Sequence, residues 1–440
     1  MQRPLIAVLI TSAFLTLNAQ AADLIQVYQQ ALANDATYAS ARSSLTAGQE
    51  RITQGRSGLL PSISASGSNT RNSGDQALYN TLVGAYTPKS DVDNHANSYS
   101  VQLTQPLFNW GSWQTYQQSK LAQATAEASF AQAQQDLITR VAQAYFDVLT
   151  AQDNLTSTQA QKVATTEQLA SAKRNFEVGT QTITDTHEAQ AAYDLVVAQE
   201  FAAINDLDNK RTALQVIIGQ TPGELAPLRT GVAINAPSPA AVEPWVSSAE
   251  SQNYAVVAAK LNVEIAKREI ERNRANHMPT ANLIASTTHQ TTTGQQRANN
   301  NAIGVSWNVP IFSGFAVTSK VRETIALEDK ARNDLEATKR AASQNARSAY
   351  LGMNSGLAQV KALEAAEVSS KSSLDSNKLG YQVGVRINID VLNAQKLLYS
   401  TQKDLAKARY DTIMNGLRLK SAAGSLKEDD LAPINALLVH

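Results

Sequence analysis

The residues best placed to do chemistry gather around two Val-Gly pairs. Asp185 follows Val178-Gly179, and Asp390 follows Val383-Gly384, each at the start of a returning helical run. Arg386 lies just after the second pair. An arginine facing a carboxylate across a gap between helices makes a charge-assisted, bidentate bond. Breaking a few such bonds in every copy of a symmetric assembly shifts a closed-to-open balance. A simpler role stands beside this one. An Asp in the first turn of a helix caps it or complements its dipole, and Thr182-x-x-Asp185 has the spacing of a capping box. Arg386 has no such local role, which makes it the stronger gate candidate.

No enzyme constellation accompanies these residues. The five histidines (His95, His187, His277, His289 and His440) are scattered without ligand spacing, so no metal site is expected. There is no phosphate-cradling glycine motif and no nucleophile elbow. The absence of cysteine removes disulfides, thiol nucleophiles and cysteine-linked lipid anchors. No cofactor is implied. With Lys and Arg totalling 38 against 38 Asp and Glu, nothing points to nucleic acid.

The N-terminus speaks for export. Arg3, the apolar run Leu5 to Leu17 and Ala19-Gln20-Ala21 read as a signal peptide over residues 1–21. No later stretch offers the ~18 consecutive apolar residues of a membrane helix. A mature protein held in a membrane would therefore cross it through β-strands closed into a barrel. Aromatic residues are only 6% of the chain, and long stretches are rich in Ala and Gln, a composition for long helices packed through small side chains.

The elements that must carry the Val-Gly pairs are duplicated. Ala144-Tyr145-Phe146 returns as Ala349-Tyr350-Leu351, and Pro106-Leu107-Phe108 as Pro310-Ile311-Phe312. Leu225-Ala226-Pro227-Leu228 returns as Leu431-Ala432-Pro433-Ile434. Arg56 and Pro61 return as Arg274 and Pro279 at a larger offset, which places an insertion between Pro61 and Pro106. Internal repetition of this kind means two copies of one order of elements.

Four segments alternate with period two. Tyr99, Val101 and Leu103 face away from Ser98, Ser100, Gln102 and Thr104; Ile303, Val305, Trp307 and Val309 alternate with Gly304, Ser306 and Asn308. Residues 62–68 alternate serine with Ile63, Ala65 and Gly67, while residues 281–289 are weaker because Ile284 breaks the pattern. Such strands suit either a sandwich or a barrel with a wet lumen. A sandwich needs about seven strands, and a single-chain outer-membrane barrel about eight. Four strands need other copies, two or three, to close. Between strands the period is helical. Leu137, Val141, Tyr145 and Val148 share a face, and neither Pro nor Gly occurs from Trp113 to Phe176. A second run extends from Ala316 to Leu379, where Gly352 and Gly356 are expected to interrupt it. Pro61, Pro106, Pro279 and Pro310 mark the joins between periods.

Leu24-Ile-Gln-Val-Tyr-Gln-Gln30, Asn175-Phe-Glu-Val-Gly-Thr-Gln-Thr-Ile-Thr-Asp185 and Gly380-Tyr-Gln-Val-Gly-Val-Arg-Ile-Asn-Ile-Asp-Val-Leu-Asn393 resemble the outer membrane factor family, the TolC-like channels of efflux and type I secretion. The resemblance implies an α+β membrane protein with internal duplication. It would be a homotrimer whose twelve-stranded β-barrel, four strands per chain, is continued by a long α-helical periplasmic tunnel. It implies outer-membrane lipid around the barrel, a periplasmic adaptor (membrane fusion) protein, and an inner-membrane RND or ABC transporter as partners. Carried over by position, the gate would be a latch of Thr184, Asp185, Tyr381 and Arg386. The tunnel constriction would hold Asp390 and Asn393, where Asn393 replaces the second of two acids. Residues 22–217 are expected as the first repeat, 218–245 as an equatorial segment, 246–423 as the second repeat and 424–440 as a C-terminal equatorial segment. The polar segments about 71–96 and 290–300 are expected as surface loops. A non-conducting envelope spacer or adhesin with a barrel anchor is the competing function.

Overall fold

The computed structural model describes residues 21–229, 231–293 and 297–439; the expected signal peptide lies outside them. The first half runs α1 (Leu24–Asn34), α2 (Ala36–Ser57), β1 (Ser62–Gln76), the short β2 (Tyr79–Asn80) and β3 (Ala85–Tyr86), β4 (Ser90–Phe108), α3 (Trp110–Glu177) and α4 (Ile183–Ile218). The second runs α5 (Glu243–Gln252), α6 (Tyr254–Arg274), β5 (Thr280–Thr292), β6 (Ala298–Asn308), α7 (Ala316–Gln382), α8 (Asn388–Ala422) and α9 (Leu431–Asn435). The order is the same twice, with β2 and β3 added in the first half and α9 in the second. The described residues form two compact units, each drawing on both halves: those up to 40, 132–253 and from 341 on in one, and 41–131 and 254–340 in the other. No helix among the described residues is long and apolar enough to cross a membrane.

The strand unit holds one antiparallel sheet in the order β1-β4-β5-β6. Register explains its two faces, because directly paired residues share a face. Leu103 pairs with Ile63 and Ala285, and Ala285 with Ile303; Ala281 pairs with Trp307. On the other face Gln102 pairs with Ser64 and Ser286, and Thr104 with Ser62 and Ile284. Ile284, the residue that broke the alternation, therefore sits on the polar face opposite Gly304. The apolar face is open: Ile63, Val305 and Trp307 are 70%, 60% and 75% exposed. Both outer strands, β1 and β6, have one edge unpaired within the chain. An open apolar face and two open edges are what further copies and lipid must cover.

Two sequence expectations need correction. The segment about 71–96 is not mainly loop: β1 and β4 continue as a paired ribbon to Gln76 and Ser90. Gly352 and Gly356 do not interrupt α7, which is continuous from Ala316 to Gln382. The reason is close packing. A methyl group built on Gly356 would come within 2.5 Å of Thr412 Oγ1 on α8, so the missing side chain lets two helices approach. That gain offsets the ~1 kcal/mol by which glycine weakens a helix interior.

The helical unit is held by a core of Tyr145, Phe146, Leu149, Leu24, Leu214, Ile218, Met414 and Leu417, all nearly or fully buried. The repeated tyrosines do the same task. Tyr145 donates its hydroxyl to the Ala226 carbonyl at 2.8 Å, and Tyr350 donates to the Ala240 carbonyl. Burial pushes the Tyr145 hydroxyl well above the ordinary phenol range, so it stays a proton donor. The Leu-Ala-Pro copies meet next to this core, where Leu228 bridges Leu438 and Arg229 Nε donates to the Leu438 carbonyl at 2.8 Å. Asp35 is buried and takes a bidentate bond from Arg140, both contacts 3.0 Å, while also capping α2 through the Tyr38 N–H at 2.6 Å. Burial pushes its carboxyl up, but these donors outweigh burial and hold it below the usual range.

Candidate gate at the turns between the long helices

Each Val-Gly pair ends a long helix in the same way. Gly179 (φ 77°) and Gly384 (φ 76°) adopt the left-handed conformation that favours glycine. The Thr180 N–H donates to the Asn175 carbonyl at 2.9 Å, and the Val385 N–H to the Gly380 carbonyl at 2.9 Å. This satisfies carbonyls that the helix end leaves open. The turns expose Val178, Val383 and Val385, each more than 60% accessible.

The returning helices start differently. At α4, Thr182 is an N-cap: its Oγ1 accepts from the Asp185 N–H at 3.3 Å, and Asp185 Oδ2 accepts from the Thr182 N–H at 3.1 Å and from the Thr182 hydroxyl at 2.8 Å. The capping box read from the sequence is present. At α8 the N-cap is Ile387, which has no side chain to accept a bond. The Asp390 carboxylate is left uncommitted and lies 3.7 Å from Arg386 Nη1, a loose pair with Arg386 59% exposed.

One chain brings together some of the expected latch residues and not others. Within one chain Arg386 does not face Asp185; it leans on Asp390 one turn along, so it does have a local partner. Asp185 is occupied by Thr182. Tyr381 donates to Gln181 Oε1 at 2.8 Å, joining the second turn to the first. Thr184 and Asn393 are exposed, and Asp390 is half-buried. Gly380 leaves the space that the Arg386 stem fills, since a Cβ there would sit 2.7 Å from Arg386 Cγ.

Sequence reasoning missed the strongest tie. Asn388 is fully buried. It donates to the Asp185 carbonyl at 3.0 Å and accepts from Gln168 Nε2 at 2.6 Å, binding α8 to both helices of the first hairpin. Beneath it Leu169, Ala172, Ala189 and Leu392 form an apolar cluster with Ile389 and Tyr193 packed on its side. A polar residue at the first position of a helix reads as an end-capping feature, so its spacing alone gave no sign of a cross-link. Gln181 gave none either, although it stands at the repeat position of Arg386.

The geometry is a helical hairpin pair joined at its turns by few polar bonds above a modest apolar cluster. The profile described as "Outer membrane efflux protein" matches residues 27–220 and 245–425 of this chain. The chain belongs to that family. Outer membrane protein TolC of Escherichia coli (strain K12) is 34% identical over 99% of this chain and 88% of its own length. Alkaline protease secretion protein AprF of Pseudomonas aeruginosa is 32% identical over 96% of this chain and 88% of its own. In fold, the crystal structure of the Campylobacter jejuni CmeC outer membrane channel is similar at a TM-score of 0.79, with 17% identity, over 94% of this chain and 89% of that one. The protein is thus an outer-membrane protein. Its fold is that of the trimeric channels in which four strands per chain build a barrel continued by a helical tunnel. The open edges of β1 and β6 are where neighbouring copies pair.

Proposed function

We propose that this outer-membrane exit duct is passive and closed at its helical turns, and that a periplasmic adaptor and an inner-membrane RND or ABC transporter open it. The observation that carries the reading is the economy of the joint. One chain ties its two hairpins at the turns by the Tyr381–Gln181 bond and the Asn388 bridge. Each such bond contributes about 1 kcal/mol net. Repeated three times, Tyr381–Gln181 alone amounts to ~3 kcal/mol, and moving a two-state balance from 1:99 to 99:1 takes ~5.5 kcal/mol. A partner binding the open form needs to supply no more than an ordinary protein contact does.

Arg386, Asp390, Asp185 and Thr184 form the polar margin of this gate, where copies meet around the axis. Val178, Val383 and Val385 give the adaptor an apolar landing on the outer side of the turns. Asp390 lines the constriction as a ring of three carboxylates, with Asn393 leaving the second ring uncharged. The related proteins are named both for protease secretion and for efflux, and cargo choice rests with the pump. The test is a strain lacking this gene. It should become detergent-sensitive or lose a secreted protein, and recover with the intact chain; a strain unchanged in both would overturn the reading.

A further inference from the structure

The first-half hairpin outgrows the rest of the sheet. β5 stops pairing with β4 at Ala96–Thr292, but β1 and β4 stay paired to Gln76–Ser90. From Thr70–Ala96, where β5 stops, to that last pair is six residues, about 20 Å along a strand. The face that is apolar below Tyr99 becomes charged above it. Asn69 bonds Asn97 at 2.6 Å, Arg71 grips Asp93 with two contacts of 2.8 Å, and Lys89 lies 3.5 Å from Asp75. The opposite face, which continues the polar lumen side, is uncharged: Thr70 opposite Ala96, Asn72 donating to Asn94 Oδ1 at 3.2 Å, and Gly74 opposite Val92.

At the end of this ribbon the polarity reverses. Tyr79 and Tyr86 pair edge to face, ring centres 5.1 Å apart, and the turn between them presents Leu82 and Val83, 95% and 74% exposed. The turn is formed rather than loose: Asn80 accepts from the N–H groups of Leu82, Val83 and Gly84. A well-made turn that exposes its largest apolar side chains needs a cover.

We propose that the cover is the same turn of the other copies: the three ribbons lean inward and pack their apolar tips together over the outer mouth of the barrel. The inference rests on the trimeric barrel above. Lipid is the wrong occupant, because the charged stretch from Asn69 to Lys89 separates the tip from the apolar band. Twelve strands ~4.8 Å apart and tilted ~40° give a barrel radius of about 12 Å. A ribbon extending about 20 Å beyond the sheet, with its turn added, therefore reaches the axis by leaning inward. The inner face carries no charge to keep the ribbons apart, and the salt bridges sit on its outer face.

The chain has no cysteine, so one introduced thiol can bond only to another copy. Val83→Cys and, separately, Leu82→Cys are made in the full chain, with Ser73→Cys on the outer ribbon face as control. Trimer mass is checked in mild detergent, which keeps failure of the barrel reading distinct from failure of this one. Copper-phenanthroline oxidation and a non-reducing denaturing gel follow. The expected result is a dimer band from the tip variants, holding at most two of every three chains, unchanged on dilution and absent from Ser73→Cys. Intact trimers with no dimer at either tip position, a dimer that fades on dilution, or equal linking at Ser73 would overturn it. So would a tip thiol that stays unlinked yet is shielded from aqueous maleimide, which would place the tip in lipid.

Discussion

The two Val-Gly turns stand at equivalent places in the repeat, 205 residues apart, and they end their helices alike but begin the next ones differently. The first turn is self-sufficient. Thr182 and Asp185 satisfy each other, so α4 is capped with groups from its own first turn. The second turn has traded that independence away. Ile387 replaces the capping threonine, Asn388 faces inward to bind the first hairpin, and Asp390 and Arg386 keep charges available at the surface. One turn caps its own helix, and its twin binds the other hairpin instead. The replacements at Arg386, Ile387 and Asn388 carry that difference, which the proposed gate would use.

The contrast predicts unequal responses to equal changes. Asn388→Ala should cost about 2 kcal/mol per chain, because Gln168 and the Asp185 carbonyl lose a buried partner. Ile183→Ala, at the matching position of the first turn, should cost under about 0.5 kcal/mol, as Ile183 is half-exposed. Thermal unfolding and amide exchange at the start of α4 would read both; equal losses would erase the distinction. Next, Asn393→Asp restores a second carboxylate per chain. It should strengthen block by a trivalent cation complex about tenfold in single-channel recordings. Unchanged block would remove Asp390 and Asn393 from the conduction path.

Capping gives a swap. Thr182→Ala should destabilise α4 by ~1 kcal/mol, whereas Ile387→Ser should stabilise α8 by up to that amount and draw Asp390 away from Arg386. If Ile387→Ser left the helix unchanged, the second turn would not be short of a cap. The smallest effect concerns pH in the helical unit away from the turns. Asp153 accepts from the Tyr410 hydroxyl at 2.7 Å, and burial raises its carboxyl despite that bond and the nearby Arg409. A carboxyl raised in the folded state favours folding below its unfolded pKa, and the benefit fades as pH rises through the folded value. Asp153→Asn should thus melt higher than the natural chain at neutral pH, and the two should converge in acid. A gap that widened in acid would reverse the sign.

What the sequence revealed follows from periodicity. A strand with one wet and one dry face must alternate, so β1, β4 and β6 were legible, and even the irregular Ile284 fell inside β5. Leu137, Val141, Tyr145 and Val148 lie within the core because a buried helix face repeats its apolar positions. The capping box was legible for the same local reason. Contacts between distant segments were not. The burial of Asn388 and the Tyr381–Gln181 bond depend on how two hairpins lie side by side. No spacing within either hairpin encodes that. Gly356 misled because its loss of helix propensity is local, while its gain against Thr412 is not.

The most direct test of a duct closed by a few polar ties is single-channel conductance of the purified trimer in a planar bilayer, natural chain against Tyr381→Phe and Asn388→Ala combined. The natural chain should conduct weakly, and the doubly altered trimer should open to a larger, steadier current. A trimer that never conducts, or one whose current ignores both changes, would contradict the account.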